Sequence, residues 1–245
     1  MQARNVAIRH GVQWISSGWQ IFKRSPLPWI GLTAAVVLIW YALLSIPTVG
    51  PLLFNLLFPV FFAGLMIGCR DVAQGRRLHF GYLFAGFREN AAALVTVGGI
   101  YLVGMLIVLA IAFGNTDGFP RISDKPTPEE IEAARVAIRK MTGPLLTALV
   151  VYIPLMMLTW FAPLLIVFRK MAAWPALKES FSACMQNIGP FMVYGMLLVV
   201  LWIAAALPFM LGLVVVLPVI FGSIYASYVD LFERPDEAST TGHEA

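Results

Sequence analysis

The sequence from residue 180 to residue 229 reads SFSACMQNIGPFMVYGMLLVVLWIAAALPFMLGLVVVLPVIFGSIYASYV, which is 50 residues without an Asp, Glu, Lys or Arg. Three more charge-free stretches cover residues 25–69, 90–116 and 141–168. A membrane hydrocarbon core about 30 Å thick takes roughly 20 helical residues to cross. The two longest stretches therefore hold two spans each, and the other two hold one each. The six predicted spans cover about residues 29–46, 51–69, 91–113, 143–167, 190–207 and 210–229.

The composition of the whole chain agrees with a membrane protein. Of its 245 residues, 60% are apolar and 12% are charged, whereas a soluble domain has roughly 45–50% apolar and about 25% charged residues. These values exclude an ordinary soluble enzyme and a disordered chain. The net charge of +4 is too small and too dispersed for a nucleic-acid-binding surface, so we expect no nucleic-acid partner.

The spans predict an all-α integral membrane protein, because an apolar run lacks the inside–outside alternation that a barrel strand needs. We expect a single six-helix transmembrane domain over residues 1–235 and a disordered cytoplasmic tail over residues 236–245. The one sizeable loop, residues 114–142, is expected to be periplasmic. It is also expected to hold a short helix from about residue 128, since Thr127-Pro128-Glu129-Glu130 fits a capping box.

Positive charge is distributed unequally between the two sides of this topology. Twelve Lys and Arg lie on the side of the termini, whereas the other side has five, all in the loop 114–142, where five acids balance them. Because positive charge near span ends resists translocation, we expect a multi-pass membrane protein with both termini in the cytoplasm. Cys69 and Cys184 would then lie at or near the cytoplasmic face, where we expect no disulfide.

Two parts of the sequence recur, which suggests an internal repeat. WQIFKRSPLPW (19–29) aligns with FSACMQNIGPF (181–191), and FPVFFAGLMIGCRDV (58–72) aligns with LPVIFGSIYASYVDL (217–231), with Asp71 opposite Asp230. A looser copy runs from Phe80 to Phe168. The alignments predict three parallel units, each a short helix followed by two spans. The units cover about residues 4–72, 79–168 and 174–231. The alternative is that Leu, Phe and Pro recur by composition alone.

The short helices that open the units have apolar faces rich in aromatic residues and basic flanks. Such helices suit the plane of the cytoplasmic headgroups, although the same faces could pack on the ends of the spans, and the two readings are compatible. The predicted membrane-interface residues are Ile8, Val12, Ile15, Trp19 and Phe22 in the first helix, Phe80, Leu83, Phe84 and Phe87 in the second, and Trp174, Leu177 and Phe181 in the third.

Prolines inside the predicted spans are expected to kink their helices, because each removes a backbone hydrogen bond. They are Pro59, Pro154, Pro163 and Pro218. Kinks can form a hinge or a cavity, but they more commonly set packing geometry. Arg76 and Arg77 could contact a lipid phosphate, although a positive-inside signal is the more common reading of such a pair.

The spans contain no ionisable side chain of the kind used in ion coupling, apart from Asp230 at the last boundary. This argues against a proton relay, a voltage sensor or an ion-coupled carrier. His10, His79 and His243 lie outside the spans without a neighbouring ligand set, so we expect no metal site, no cofactor and no catalytic residue.

Five motifs in order carry a resemblance to a known family. They are GWQIFKRSPLPWIGL (18–32), IPTVGPLL (46–53), GLMIGCRDVAQGRRL (64–78), WFAPLLIVF (160–168) and PVIFGSIYASYVDLF (218–232). The chain resembles, over nearly its whole length, a family of six-span proteobacterial inner-membrane proteins without an established activity. The resemblance implies the topology and transfers no catalytic residue.

Two functional hypotheses follow. The first is a non-catalytic inner-membrane protein, not an enzyme, that acts through contacts with membrane phospholipid or another membrane protein, as a scaffold, assembly factor or accessory subunit. The alternative is a carrier or channel for a small uncharged or zwitterionic solute or lipid. A mid-membrane cavity would favour transport, whereas a packed apolar core would disfavour it. The residues expected to line such a cavity are Asn55, Thr96, Tyr101, Tyr152 and Thr159.

Overall fold

The computed structural model describes residues 3–114, 127–207 and 212–233, and all regular secondary structure in these residues is helical. The tail 236–245 therefore lies outside the described residues. The helices are α1 (His10–Arg24), α2 (Pro26–Leu44), α3 (Val49–Ala73), a 3-10 helix (Phe80–Arg88), α4 (Ala91–Phe113), α5 (Pro128–Trp160), α6 (Ala162–Arg169), α7 (Ala173–Gln186), α8 (Ile188–Ala206), α9 (Leu213–Tyr228) and a π-helical turn (Val229–Glu233).

Six helical segments in the described residues are long and apolar enough to cross a membrane. They are α2, α3, α4, α5 with α6, α8, and α9 with the π-helical turn. This confirms the predicted all-α fold class and the six spans. Local sequence explains several of the starts: Pro26 occupies the first turn of α2, and the Asn90 side chain accepts the Ala93 backbone N–H at the start of α4.

The fourth span differs from its predicted bounds. The predicted capping box is present, since Thr127 Oγ1 accepts the Glu130 N–H (3.2 Å) and Glu130 accepts the Thr127 N–H (3.0 Å). The helix that it starts does not end before the span but continues through Pro144 and Pro154 to Trp160. At a rise of 1.5 Å per residue, the 33 residues of α5 are longer than a bilayer core, so its first turns extend beyond the hydrocarbon.

The prolines that were expected to kink helices lie in two kinds of position. Pro59, Pro154 and Pro218 lie inside α3, α5 and α9, whereas Pro163 lies in the first turn of α6, just after a break in the helix at Phe161. Ser180 of α7 inserts its hydroxyl at this break.

The inserted Ser180 hydroxyl accepts the Phe161 N–H (2.9 Å) and donates to the Met157 carbonyl (2.7 Å), two groups that would bond each other in an unbroken helix. The break therefore has two physical causes, a missing N–H at Pro163 and an inserted side chain.

The apolar core lies toward one end of the bundle. We call this the basal end, and it contains α1, the 3-10 helix, α7 and the π-helical turn. Buried side chains of α2 occupy its first half, from Trp29 to Val36, whereas those of α9 begin at Pro218 and continue to its last residue. Toward the other end the spans expose large apolar side chains. Examples are Leu38, Trp40, Tyr41, Val103, Leu106, Ile107, Val199, Val200, Trp202 and Ile203.

Each short helix packs against the second span of another predicted unit: the 3-10 helix on α3, α7 on α5 and α6, and α1 on α9. Glycine allows two of these approaches, because a Cβ at Gly86 would collide with the backbone of Val60, and one at Gly18 with the backbone of Val219. The alignment of residues 58–72 with 217–231 places Val60 opposite Val219. The three-unit repeat itself stays a prediction, and these matching contacts agree with it.

Candidate functional site

The short helices at the basal end expose most of the residues that the sequence predicts at the membrane interface. The exposed ones are Ile8, Val12, Trp19, Phe80, Phe84, Phe87 and Trp174. Ile15 and Phe181 are partly buried, and Phe22, Leu83 and Leu177 are buried. The basal end therefore combines an exposed aromatic surface with a packed interior. The interface role of these residues stays a prediction.

Helix α1 also has a buried stripe of residues, next to the exposed one. A second stripe, formed by His10, Trp14, Gly18 and Ile21, is buried against α8 and α9. The exposed stripe of Ile8, Val12 and Trp19 lies on another side of the helix. The stripe predicted from the sequence also includes Ile15, which is partly buried, and Phe22, which is buried. The pattern did not predict the stripe through His10 and Gly18, because a polar residue and a glycine are not typical of a buried face.

A buried carboxylate, Asp230, fixes α1 to the end of α9. Asp230 is 3% exposed, and its carboxylate meets Arg4 Nη2 at 2.6 Å, His10 Nδ1 at 2.7 Å and Trp14 Nε1 at 2.8 Å. The Arg4 backbone N–H also donates to the Leu231 carbonyl (3.0 Å). A buried carboxylate needs such donors, because an unpaired charge in an apolar interior is costly. The first and the last described residues are thus held together by the Asp230 carboxylate and by backbone hydrogen bonding.

A second buried carboxylate, Asp71, holds the 3-10 helix against α3 in a similar way. The Tyr82 hydroxyl donates to Asp71 Oδ2 (2.6 Å), and Arg76 and Arg70 lie 3.2 and 3.5 Å from Oδ1. Burial, the hydrogen bond and the nearby carboxylate charge raise the pKa of Tyr82 to about 12, so the phenol stays protonated and donates at neutral pH. Of the two arginines that could contact a lipid phosphate, Arg76 pairs with Asp71, and both Arg76 and Arg77 are exposed.

The two carboxylate clusters have the same register. Trp14 precedes Gly18 by four residues, and Tyr82 precedes Gly86 by four. In each cluster an aromatic donor reaches the carboxylate, and a glycine one helical turn later lets the backbones approach. The alignment of Asp71 with Asp230 was visible in the sequence. The donors were missed, because only the fold brings residues 4–14 next to residue 230.

A cleft of about 450 Å³ lies between α1 and the ends of α3 and α9. Neutral polar side chains of α1, such as Gln13, Ser17 and Gln20, line one wall. Arg24 also lines it and donates to the carbonyls of Val72 (3.2 Å) and Ala73 (2.7 Å) at the end of α3. Asp230 also lines this cleft. Because its carboxylate already has Arg4, His10 and Trp14 as partners, the structure shows a role in positioning α1.

The five polar residues expected to line a mid-membrane cavity make local contacts. Side chains of Asn55, Thr96 and Thr159 donate to carbonyls four residues earlier in their own helices, at 2.8–3.0 Å. Tyr101 and Tyr152 pack in a small apolar cluster between α4 and α5. The hydrogen bonds that Asn55, Thr96 and Thr159 donate therefore stay within their own helices.

The His, Cys, Asp and Glu side chains of the described residues lie apart from one another or pair with other groups. In residues 3–114, 127–207 and 212–233, no three His, Cys, Asp or Glu side chains form a group that could hold a metal ion. Cys69 and Cys184 are free thiols and are both buried.

Comparisons with known proteins agree with the membrane assignment. No protein-family model matches the chain, and no solved structure matches it. A "Probable inner membrane protein" of Burkholderia thailandensis is 31% identical over 239 residues, which cover 94% of this chain and 85% of that protein. Identity at this level over nearly both full lengths shows common descent. The chain therefore belongs to the same family as this probable inner membrane protein.

Proposed function

We propose that the protein is a non-catalytic inner-membrane protein that acts through contacts with membrane phospholipid and with another membrane protein, as a scaffold, assembly factor or accessory subunit. The observation that carries this proposal is the exposed apolar surface of α2, α4 and α8. In the most apolar 18-residue stretch of each of these three spans, only 17–22% of the residues are buried, whereas 61% are buried in the corresponding stretches of α3 and α9. A surface of this kind faces lipid or the apolar surface of a partner.

The buried polar groups support a structural role over a catalytic one. The carboxylates of Asp71 and Asp230 accept hydrogen bonds from side chains of the short helices at 2.6–2.8 Å. A catalytic acid or base needs an accessible site within hydrogen-bond reach of a substrate. Although Asp230 lines the cleft beside α1, both carboxylates already accept hydrogen bonds from donors that position helices.

The alternative, a carrier or channel for a small uncharged or zwitterionic solute or lipid, has less support. Asn55, Thr96 and Thr159 would have to present hydrogen-bonding groups to a pathway, but each bonds to a carbonyl of its own helix. A transported solute would also have to pass between the spans. The packed apolar core between the spans lies toward the basal end and would block its way there.

The charge distribution supports an orientation with the basal end in the cytoplasm. Exposed basal cations include Arg9, Lys23 and Arg77, whereas at the opposite end Arg135 pairs with Glu132 at 3.7 Å. This is the asymmetry of the positive-inside rule. With six spans, the two termini lie on the same side.

Photocrosslinking in native membranes, combined with native mass spectrometry from mild detergent, tests the proposal. A photoreactive residue at the exposed position Val200 should give a recurrent protein adduct or retained phospholipid. The same residue at Met66, which is 0% exposed, is the matched control and should give neither. Repeated recovery of a bare monomer, without lipid and without a crosslinked partner from Val200, would contradict the proposal.

A further inference from the structure

Aromatic and basic side chains lie together on α1 and α7, and they are sequence neighbours on the 3-10 helix. Lys23 lies over the Trp19 ring at 5.9 Å from its centroid, and Lys178 lies over the Trp174 ring at 5.3 Å. In the 3-10 helix the exposed Phe87 directly precedes Arg88. We call Trp19 with Lys23, Phe87 with Arg88, and Trp174 with Lys178 the three aromatic–cation sites.

The cations of these sites are available for a ligand. Lys23, Arg88 and Lys178 are exposed, and within the described ranges none of them forms an ion pair with a carboxylate. Three other basal cations bind groups of the protein itself. Arg4 binds Asp230, Lys170 binds Glu89, and Arg169 donates to the Phe232 carbonyl.

The basal end has an excess of positive charge. Its segments 3–25, 70–90, 168–187 and 229–233 contain eleven Lys and Arg and five Asp and Glu. Three of these five carboxylates, those of Asp71, Glu89 and Asp230, are paired within the protein. The exposed surface is therefore complementary to an anionic partner.

The position of the sites indicates which anionic partner fits. Lys23 and Arg88 each lie within three residues of the start of a span, at Pro26 and Ala91, and Trp174 lies five residues after α6 ends at Arg169. This is the level of the lipid headgroups, where an amphipathic ring rests in the interface and a nearby cation reaches phosphate. Exposed rings at this depth suit a lipid surface better than a soluble acidic protein.

We propose that the three aromatic–cation sites bind the headgroups of anionic phospholipids in the leaflet that surrounds the basal end. This inference rests on the proposed function, in which the protein acts through lipid or protein contacts, and it adds the lipid class and the residues. Each cation near an anionic surface contributes roughly a fivefold preference for that surface. Three such sites together give a preference of up to about 100-fold for an anionic over a zwitterionic phospholipid.

Native mass spectrometry of the full chain from mixed micelles tests this proposal. The micelles contain equal amounts of phosphatidylglycerol, which is anionic, and phosphatidylethanolamine, which is zwitterionic. The unaltered chain should retain mainly phosphatidylglycerol. The triple variant Lys23→Gln, Arg88→Gln and Lys178→Gln should lose this preference by at least about tenfold, since three charges are removed. All three residues are exposed, so the variant should elute as a folded species of unchanged size.

A matched control removes three exposed cations from the other end of the bundle. Arg135→Gln, Arg139→Gln and Lys140→Gln lie on α5, and this variant should keep the preference for phosphatidylglycerol. Equal retention of the two lipids by the unaltered chain, or the same change in both triple variants, would overturn the inference while leaving the proposed function standing. Retention of no lipid and no partner would instead count against the proposed function.

Discussion

Replacing Asp230 with Ala should loosen α1 from α9 and strongly destabilise the protein. The Asp230 carboxylate has Arg4, His10 and Trp14 within 2.6–2.8 Å, and the side chains of Arg4 and His10 are only 8% and 9% exposed. Removing one partner of a buried ion pair costs about 3–5 kcal/mol, because the other charge stays buried without compensation. We expect Asp230→Ala to lower the free energy of unfolding by about this amount.

The same change at Asp71 provides an internal comparison. Arg70 and Arg76 are 37% and 59% exposed, so water can solvate them when the carboxylate is removed. Only the Tyr82 hydroxyl is left as a buried donor, which costs about 1–3 kcal/mol. Asp71→Ala should therefore be less destabilising than Asp230→Ala.

Equilibrium unfolding in mixed detergent micelles, followed by tryptophan fluorescence, measures these differences. Glu132→Ala is the control, because its ion pair with Arg135 is 3.7 Å long and exposed; the loss should be at most about 1 kcal/mol. If Asp230→Ala loses no more stability than Glu132→Ala, or if Asp71→Ala is the most destabilising of the three, the Asp230 carboxylate does not hold α1 as described.

Three further changes test other parts of the structure. Gly18→Ala places a Cβ against the backbone of α9 and should lower the free energy of unfolding by about 1–3 kcal/mol in the same assay. Gly195→Ala, with open space around it, is the control and should be neutral or stabilising. Equal losses in the two variants would exclude the close approach of α1 to α9. Burial raises the pKa of the Cys184 thiol to about 12, so maleimide should label it only after unfolding, and rapid labelling of the folded protein would contradict its burial. Because burial and the hydrogen bond to Asp71 raise the pKa of Tyr82 in the folded state from 10 to about 12, the protonated phenol should stabilise the protein fully below pH 10, and this effect should be lost as the pH rises through about 12. Tyr82→Phe should remove this alkaline loss, and an unchanged profile would argue against the raised pKa of Tyr82.

The spans could be predicted from the sequence because bilayer thickness acts directly on the length of a charge-free stretch. The stretch 180–229 is long enough for two helices, and the structure has α8 and α9 there. The start of α5 was also readable, since a capping box depends on residues only three apart. Its continuation past Pro144 was not, because the loss of one hydrogen bond does not decide whether a helix ends.

The basal clusters depend on residues that are distant in the sequence. Asp230 looked like a boundary residue, because nothing local indicates that Arg4, His10 and Trp14 pack against it. The break at Phe161 likewise depends on Ser180, which lies 19 residues later. Periodicity describes one helix at a time, so it found the exposed stripe of α1 and missed the buried one.

The six crossings are tested most directly by the location of the two termini and of the loop 114–142. Protease-cleavable tags at residues 1 and 245 should both be protected in spheroplasts and both be cut in inverted membrane vesicles. A tag within the loop should show the reverse pattern. Termini on opposite faces of the membrane, or a loop tag on the same face as the termini, would contradict the six-span account.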